Sequence, residues 1–427
     1  MTAVLIVFLL AVALMLALVF LKPAVHVGRV AISIFWAAPA LGVLVLMIMR
    51  TLSAAEIVAG LTAPTAVNPI QILVLFFSMT LLSTFLDEAG FFRFLAGFVM
   101  RRAARRQMAL FVSLYLAVSV LTVFTSNDIV VLTFTPFICY FAKNAEIDPL
   151  PYLVCEFVAA NTWSMALIIG NPTNIYLAAS YGIDFAAYTK EMLLSTAVAG
   201  VVSFAMLLVL FRNRLKAPLG GRAPDILPMD LPAVVLGLAA LGGCVVMLVL
   251  SSYTELPMWL ISAAFCVGLY TLATVLQLVR RRGLRLVARS ALRAPLDVIP
   301  FVLSMFVLVM ALQKVGVTAW LCDVLAGRGE VFTFGVTSFL LANALNNIPM
   351  SVLFASVTAG ASSGALYAAV IGSNIGAFLT PMGALAGIMW MAMLREQGVS
   401  LSFGKFTAIG AAISFPTLIA ALLCLLL

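Results

Sequence analysis

The chain has 427 residues, 64% of them apolar and 9% charged, with a mean hydropathy of +1.20. Soluble domains run at about 45–50% apolar and about 25% charged, which excludes a soluble multidomain protein. The formal net charge of +8 does not point to nucleic acid, because Lys and Arg fall in short loops between apolar runs, the topogenic pattern of a membrane protein.

At about 20 residues per crossing, apolar runs at 3–22, 29–49, 70–86, 150–178, 191–211, 231–252, 258–280, 296–315, 364–392 and 403–427 predict about ten transmembrane helices. The first run is too long for a signal-peptide core and lacks a basic flank, so it is expected to remain as a helix. Two further stretches, 108–142 and 331–358, carry polar clusters near their middles and are read as re-entrant hairpins. Ten crossings put both termini outside the cell membrane. On that topology all but Arg50, Lys190, Lys314 and Arg328 of the 24 basic residues face the cytoplasm, as the positive-inside rule requires. Single spanning helices in place of the hairpins would move Arg212–Arg222 and Arg280–Arg293 outside. The Arg clusters are therefore read as topological, and Thr318–Glu330 and Asp87–Arg106 as interfacial connectors with Trp320 as a surface anchor.

The two halves match in order. Phe77-Ser78-Met79 followed by Gly90 corresponds to Leu303-Ser304-Met305 followed by Gly316. Asn127-Asp128 corresponds to Asn346-Asn347, and Asn161 to Gly170 corresponds to Asn374 to Gly383. An odd number of crossings between them makes the halves, 1–222 and 223–427, inverted repeats, whose interface is where transporters bind substrate. The fold class is thus an all-α polytopic membrane protein with two re-entrant hairpins in two inverted repeats.

Four segments break the apolar pattern at membrane depth: Thr125-Ser126-Asn127-Asp128, Gly170-Asn171-Pro172-Thr173-Asn174, Asn343 to Pro349, and Gly372 to Gly376 leading into Thr380-Pro381-Met382-Gly383. Irregular backbone survives in a membrane only where it is buried in protein or lines a cavity. Pro and Gly unwind a helix, freeing carbonyls for a cation and N–H groups for an anion or hydroxyl. Asp128 is the sharpest residue, since intramembrane carboxylates mark proton or cation sites; N-capping of the returning hairpin helix is its structural alternative. Glu156 is expected to be solvated near the interface, and Asp297 to be a first-turn charge of its helix. The six scattered cysteines are read as small hydrophobes, the 20 methionines as packing residues, and lone His26 as no metal site.

Leu86-Asp87-Glu88-Ala89-Gly90-Phe91-Phe92, Ser126-Asn127-Asp128 with Leu132-Thr133-Phe134-Thr135-Pro136, Asn346-Asn347-Ile348-Pro349 and the stretch from Ile371 to Trp390 together resemble the ArsB-type arsenite permeases of the ion transporter superfamily. That superfamily also holds the NhaD sodium/proton antiporters and the divalent anion/sodium symporters. The resemblance implies an elevator-type transporter, a homodimer with scaffold and transport domains in the inner (plasma) membrane. It points to Ser126, Asn127, Asp128, Gly170, Asn171, Thr173, Asn174, Asn346, Asn347, Ser373, Asn374, Thr380 and Gly383 as the site for substrate and coupling ion. The chain departs from the pattern at four places, one of them Asn171-Pro172-Thr173-Asn174. Asn374 stands where the arsenite pumps carry an acidic residue, and Gly376-Ala377-Phe378 replaces a Gly-Pro-Lys-like stretch. The hairpin tips read Ser-Asn-Asp and Leu-Asn-Asn rather than the Ser-Asn-Thr of the carboxylate symporters.

These features predict a secondary transporter, with proton-coupled efflux of a small inorganic solute such as arsenite or antimonite as the leading function and Asp128 as the proton-coupling residue. The alternative is sodium- or proton-coupled transport of carboxylates or other small anions, with a cation/proton antiporter third. No nucleophile–base pair or metal cluster suggests an enzyme, and polar groups concentrated at mid-depth argue against a channel. No cofactor is expected beyond the coupling ion, H+ or Na+, and a partner ATPase is conceivable only by analogy with arsenite systems.

Overall fold

The computed structural model describes residues 1–21, 24–27, 30–63, 68–102, 106–216, 228–254, 256–327 and 329–427. Lys22, Arg29, Arg105, Arg222 and Arg328 of the charge pattern lie outside the described residues. Helix α1 (Thr2–Leu21) leads into a short antiparallel hairpin of β1 (Ala24–Val27) and β2 (Val30–Ser33), with Ala24 opposite Ser33 and Val27 opposite Val30. Then follow α2 (Ala37–Ile48), α3 (Ala54–Thr62), α4 (Pro69–Glu88), α5 (Phe91–Arg102), α6 (Gln107–Phe124), α7 (Asn127–Asn144), α8 (Leu150–Trp163), α9 (Pro172–Ser180) and α10 (Phe185–Phe211). The second half runs α11 (Leu231–Thr254), α12 (Met258–Val279), α13 (Arg285–Leu292), α14 (Val298–Lys314), α15 (Val317–Leu325), α16 (Glu330–Leu345), α17 (Asn347–Val357), α18 (Ser363–Gly376), α19 (Leu385–Glu396) and α20 (Phe403–Cys424).

Among the described residues, α4, α6, α10, α11, α12 and α20 are each long and apolar enough to cross a bilayer, so the chain is a multi-pass membrane protein. The outward faces of α10, α11 and α12 carry exposed apolar side chains, such as Val201, Val235 and Val267, as lipid-facing helices must. Five of these six fall in predicted crossings, α6 falls in the predicted hairpin 108–142, and the predicted crossing at 29–49 is not a helix of spanning length. The run 29–49 is β2 followed by the 12 residues of α2, about 18 Å of helix against a hydrocarbon core of about 30 Å. The β-branched alternation Val25, Val27, Val30, Ile32 favours extended pairing over helix, and the helix starts only at Ala37.

From α4 onward the order of elements in the first half recurs in the second. A long helix (α4, α14) ends in a short turned helix (α5, α15), then come a helical hairpin (α6–α7, α16–α17), an interrupted helix (α8–α9, α18–α19) and a closing helix (α10, α20). The short helix α15 is bent 78° from α14 at Gly316, whose φ of +80° favours glycine. Trp320 on α15 is exposed, consistent with a surface connector.

The helices pack as two bodies. In one, α4, α11, α12 and α13 associate, with α1, α2 and α14 beside them. The other gathers α6 to α10 and α16 to α20, with α16 against α18 and α10 against α20. They meet where α14 faces α17, α10 faces α11, and α4 faces α7 and α9. The α16–α18 contact is as close as backbone allows: a Cβ on Gly372 would sit 2.0 Å from Ser338 Oγ and 2.2 Å from the Gly335 carbonyl oxygen. Gly372 and Gly376 therefore serve helix packing inside α18 rather than the break assigned to them from sequence, which begins at Ala377.

Candidate substrate-binding site

The polar motifs converge where the two hairpin tips meet the two helix breaks. Helix α6 ends at Phe124 and α7 restarts at Asn127, with Thr125 and Ser126 extended between them. Helix α8 ends at Trp163, and Asn171 caps α9 by accepting a hydrogen bond from the Thr173 backbone N–H at 3.2 Å. Pro172 at the first position of α9 has no N–H to leave unpaired.

Each tip docks on the broken helix of its own half. Asn127 Nδ2 donates to Asn161 Oδ1 at 3.1 Å, while Asn161 Nδ2 donates to the Phe157 carbonyl at 2.8 Å. That chain fixes which way the Asn127 amide points. In the second half Asn346 Nδ2 donates to the Met382 carbonyl and the Asn347 backbone N–H to the Gly383 carbonyl, both at 3.1 Å. Asn343 Oδ1 accepts from Thr380 through its N–H at 3.1 Å and its hydroxyl at 2.7 Å.

The two breaks are tied to each other through Asn374. Its Oδ1 accepts from Asn171 Nδ2 at 2.9 Å and Ser164 Oγ at 3.0 Å, and its Nδ2 donates to Asn174 Oδ1 at 2.8 Å. Asn174 Nδ2 closes the loop onto the Ser164 and Leu167 carbonyls, and Ser373 Oγ lies 3.4 Å from Thr173 Oγ1. All of these side chains are buried. Gly170 lets the first break fold on itself, since a Cβ there would meet the Ser164 carbonyl oxygen at 2.3 Å.

Beside this lattice lies a cavity of about 480 Å³ between the two bodies. Of the thirteen residues expected at the site, Ser126, Asp128, Asn171 and Asn347 line it. Asn127, Gly170, Thr173, Asn174, Asn346, Ser373, Asn374, Thr380 and Gly383 stand behind, holding the lining residues in place. Asp128 occupies the first turn of α7 but does not cap it; Ser126 holds the cap position, without a side-chain hydrogen bond. Among the described residues no hydrogen bond or ion pair engages the half-buried Asp128 carboxylate. Two further acceptors beside it are buried without a donor, Asn127 Oδ1 and Asn347 Oδ1.

Sequence reasoning missed the other walls. Thr80 and Thr84, four apart on α4, share one face with Phe76, and Phe35, Leu385, Ile388 and Met389 supply apolar surface. Arg293, Asp297 and Arg395 stand at the cavity as well. Asp297, expected in the first turn of its helix, instead holds the N-cap position before α14 and makes no side-chain cap hydrogen bond. Arg293, read from sequence as a topological charge, pairs with Asp87 at 2.5 Å and Glu88 at 3.0 Å. The other oxygen of Asp87 accepts from Thr133 of α7 at 3.0 Å. Asp87 is thus the buried end of α4 rather than part of a surface connector. Nothing in the sequence spacing links positions 87, 133 and 293; only packing does.

Glu156 requires a larger correction. Expected at the solvated interface, it is completely buried and accepts from the Thr135 hydroxyl at 3.0 and 3.2 Å. Helix α8 is buried on all sides, so no face of it reaches water. The cysteines follow the expected pattern, with Cys139, Cys155, Cys244 and Cys266 buried. No cluster of potential metal ligands occurs among the described residues.

A pair of polar hairpin tips set against two interrupted helices, inside a many-helix membrane protein, is the architecture of a secondary transporter. A family model described as citrate transporter (CitMHS) matches residues 15–369, and the chain belongs to that family. It is 29% identical over 377 residues to the arsenical pump membrane protein of Yersinia enterocolitica, covering 82% of this chain and 85% of that one. It is likewise 28% identical to an arsenical pump membrane protein of Escherichia coli, over 82% and 85% of the two chains. An uncharacterized transporter of Mycobacterium tuberculosis is 25% identical over 82% of this chain and 84% of its own. The fold is similar to the Alcanivorax borkumensis YdaH transporter, with a TM-score of 0.56 at 14% identity over 99% and 97% of the chains. Neisseria gonorrhoeae MtrF gives 0.51 at 15% identity over 99% and 94%.

Proposed function

We propose that this protein exports a small neutral trihydroxy solute, arsenite first and antimonite with it, in exchange for protons. The observation that carries this is the chemistry of the site: Asp128, which no hydrogen bond or ion pair engages among the described residues, and Asn347 Oδ1, a buried carbonyl oxygen without a donor, both belong to residues lining the cavity, with Asn127 Oδ1 unpaired in the hairpin tip behind them. Buried acceptors left unpaired are worth about 1–3 kcal/mol each to a ligand that satisfies them. A trihydroxy solute brings three O–H donors and no charge. Arsenical pump relatives over most of the chain support the same substrate. Asp128 then serves both substrate and proton, binding one when the other leaves.

The cavity opens beside Arg293 and Arg395, on the face that the basic loops assign to the cytoplasm, with both termini outside. The body of α6 to α10 and α16 to α20 is the moving transport domain of an elevator, in a homodimer held by the other body. A second reading, proton- or sodium-coupled transport of a carboxylate, draws on the family model and on Arg395 at the cavity. Arg293 supports it less, being already engaged by two carboxylates.

The test is arsenite uptake into everted vesicles under an imposed proton gradient, with wild type compared with Asp128→Asn. Uptake that collapses with the gradient and with the substitution supports the proposal. Wild type that inserts but takes up citrate-like anions or needs sodium, and ignores arsenite, establishes the second reading instead.

A further inference from the structure

Glu156 is a second intramembrane carboxyl, apart from the cavity and unused by the reading above. It sits where three site-bearing helices meet. Thr135, its hydrogen-bond partner on α7, lies seven residues, two turns, after Asp128. Its own helix α8 carries Asn161, which holds the hairpin tip through Asn127. From α19, whose Ile388, Met389 and Met391 line the cavity, Trp390 lies against it, with its ring 4.8 Å from that of Phe157. The Trp390 indole N–H is buried without an acceptor.

No cation balances Glu156. The charged side chains on the helices around it are Asp128 and Lys143 on α7, Lys190 and Glu191 on α10, Arg395 and Glu396 on α19 and Lys405 on α20, and among the described residues none pairs with it. Its titratable neighbours are Cys139 and Cys155. An ionised carboxylate with one close hydroxyl donor, only a longer approach from the Trp390 indole N–H, no counter-charge and no exposed surface is expensive by several kcal/mol. A carboxylic acid is not. Thr135 Oγ1 lies within 3.0 and 3.2 Å of the two oxygens, so it can donate to one while the protonated other donates back.

We propose that Glu156 is a second proton-binding carboxyl of this transporter, loaded in the arrangement described and exchanging its proton with cavity water when α7 and α19 part. Only an O–H bond breaks and reforms; the proton passes to water, and nothing is oxidised. The inference deepens the proton-coupled reading and rests on it.

Two measurements separate them. Infrared difference spectra of the purified protein through a pH step read the carbonyl stretch of a protonated carboxylic acid, in wild type and in Glu156→Gln. A band present in wild type and missing in the variant supports the proposal; no such band overturns it. In vesicles, Glu156→Gln is expected to lower proton-driven arsenite accumulation at least about tenfold. Substrate counterflow, which needs no net proton movement, falls far less, and Glu156→Asp recovers part of the loss. Accumulation equal to wild type overturns the proposal and leaves Asp128 as the proton site. If Glu156→Gln fails to insert, Thr135→Val replaces it in the infrared arm, and an unshifted carbonyl band counts against the contact. A Glu156 band in a wild type that moves no arsenite would sink the arsenite reading alone.

Discussion

At the first hairpin tip Ser126 adopts φ −80° and ψ 139°, an extended backbone open to any residue, whereas at the second Asn346 adopts φ 78° and ψ 154°. That second conformation belongs almost to glycine alone and is worth about 1–3 kcal/mol of strain in another residue. It persists because Asn346 reaches the Met382 carbonyl, its Oδ1 accepts from the Ile348 N–H, and Asn347 N–H binds the Gly383 carbonyl. The first tip is relaxed and charged; the second is strained, neutral and held by backbone. Two halves with the same order of helices thus end in different tips, a relaxed one that carries a carboxyl and a strained, neutral one tied to the backbone of its broken helix.

The sharpest way to break this comparison is to move the charge. Asp128→Asn should lower gradient-driven arsenite uptake by about 100-fold, roughly 3 kcal/mol of lost function. Adding Asn347→Asp to it should not restore uptake, because the second tip is strained and tied to the Met382 and Gly383 carbonyls and so sets a carboxyl in a different backbone frame from the first. Recovery by the double variant would show the tips to be interchangeable.

Next is the contact that backs the second tip. Gly372→Ala forces a methyl to 2.2 Å from the Gly335 carbonyl oxygen, a clash that backbone must absorb. The expected loss is about 3 kcal/mol or more, seen as a lowered melting temperature in detergent or failure to insert. Near-normal melting would mean that α16 and α18 can separate freely. Asn374→Ala strips acceptors from Asn171 and Ser164 and a donor from Asn174. A loss of about 2–3 kcal/mol is expected, with both tips loosened together in hydrogen exchange rather than one.

Substituting the tips themselves gives a smaller but more pointed test. Asn346→Ala keeps the strain and removes the two side-chain bonds that help hold it, about 2 kcal/mol. Ser126→Ala removes no cap hydrogen bond and should change stability by under about 0.5 kcal/mol. Equal effects in unfolding would erase the contrast drawn here. Smallest of all is the surface pair outside the membrane. Lys314 and Ser53 hold the Glu56 carboxyl at about 2, below its ordinary 4.5. A lowered folded value means stability that is present above pH 4.5 and is lost as pH falls toward 2. Glu56→Gln should flatten that acid limb slightly while leaving transport at pH 7 unchanged.

The apolar runs, the basic loops and the paired Asn-rich breaks were legible in the chain because lipid leaves so few choices. Only helices of sufficient length satisfy their backbone there, and only a protein interior tolerates Pro, Gly and Asn at mid-depth. The run 29–49 misled because hydropathy does not distinguish β-branched residues that pair as strands from those that continue a helix. Gly372 and Gly376 misled because glycine that unwinds a helix and glycine that packs one look alike in one dimension.

From its sequence alone this protein is a many-helix membrane transporter with Asp128 and its Asn-rich partners at the centre. Tertiary structure alone decided which of those residues face the cavity and which merely brace it, that Arg293 binds Asp87 across the fold, and that Glu156 is dry. Burial and partnership depend on which helices face one another, and for residues as far apart as Asp87 and Arg293 no local pattern of side chains carries that information.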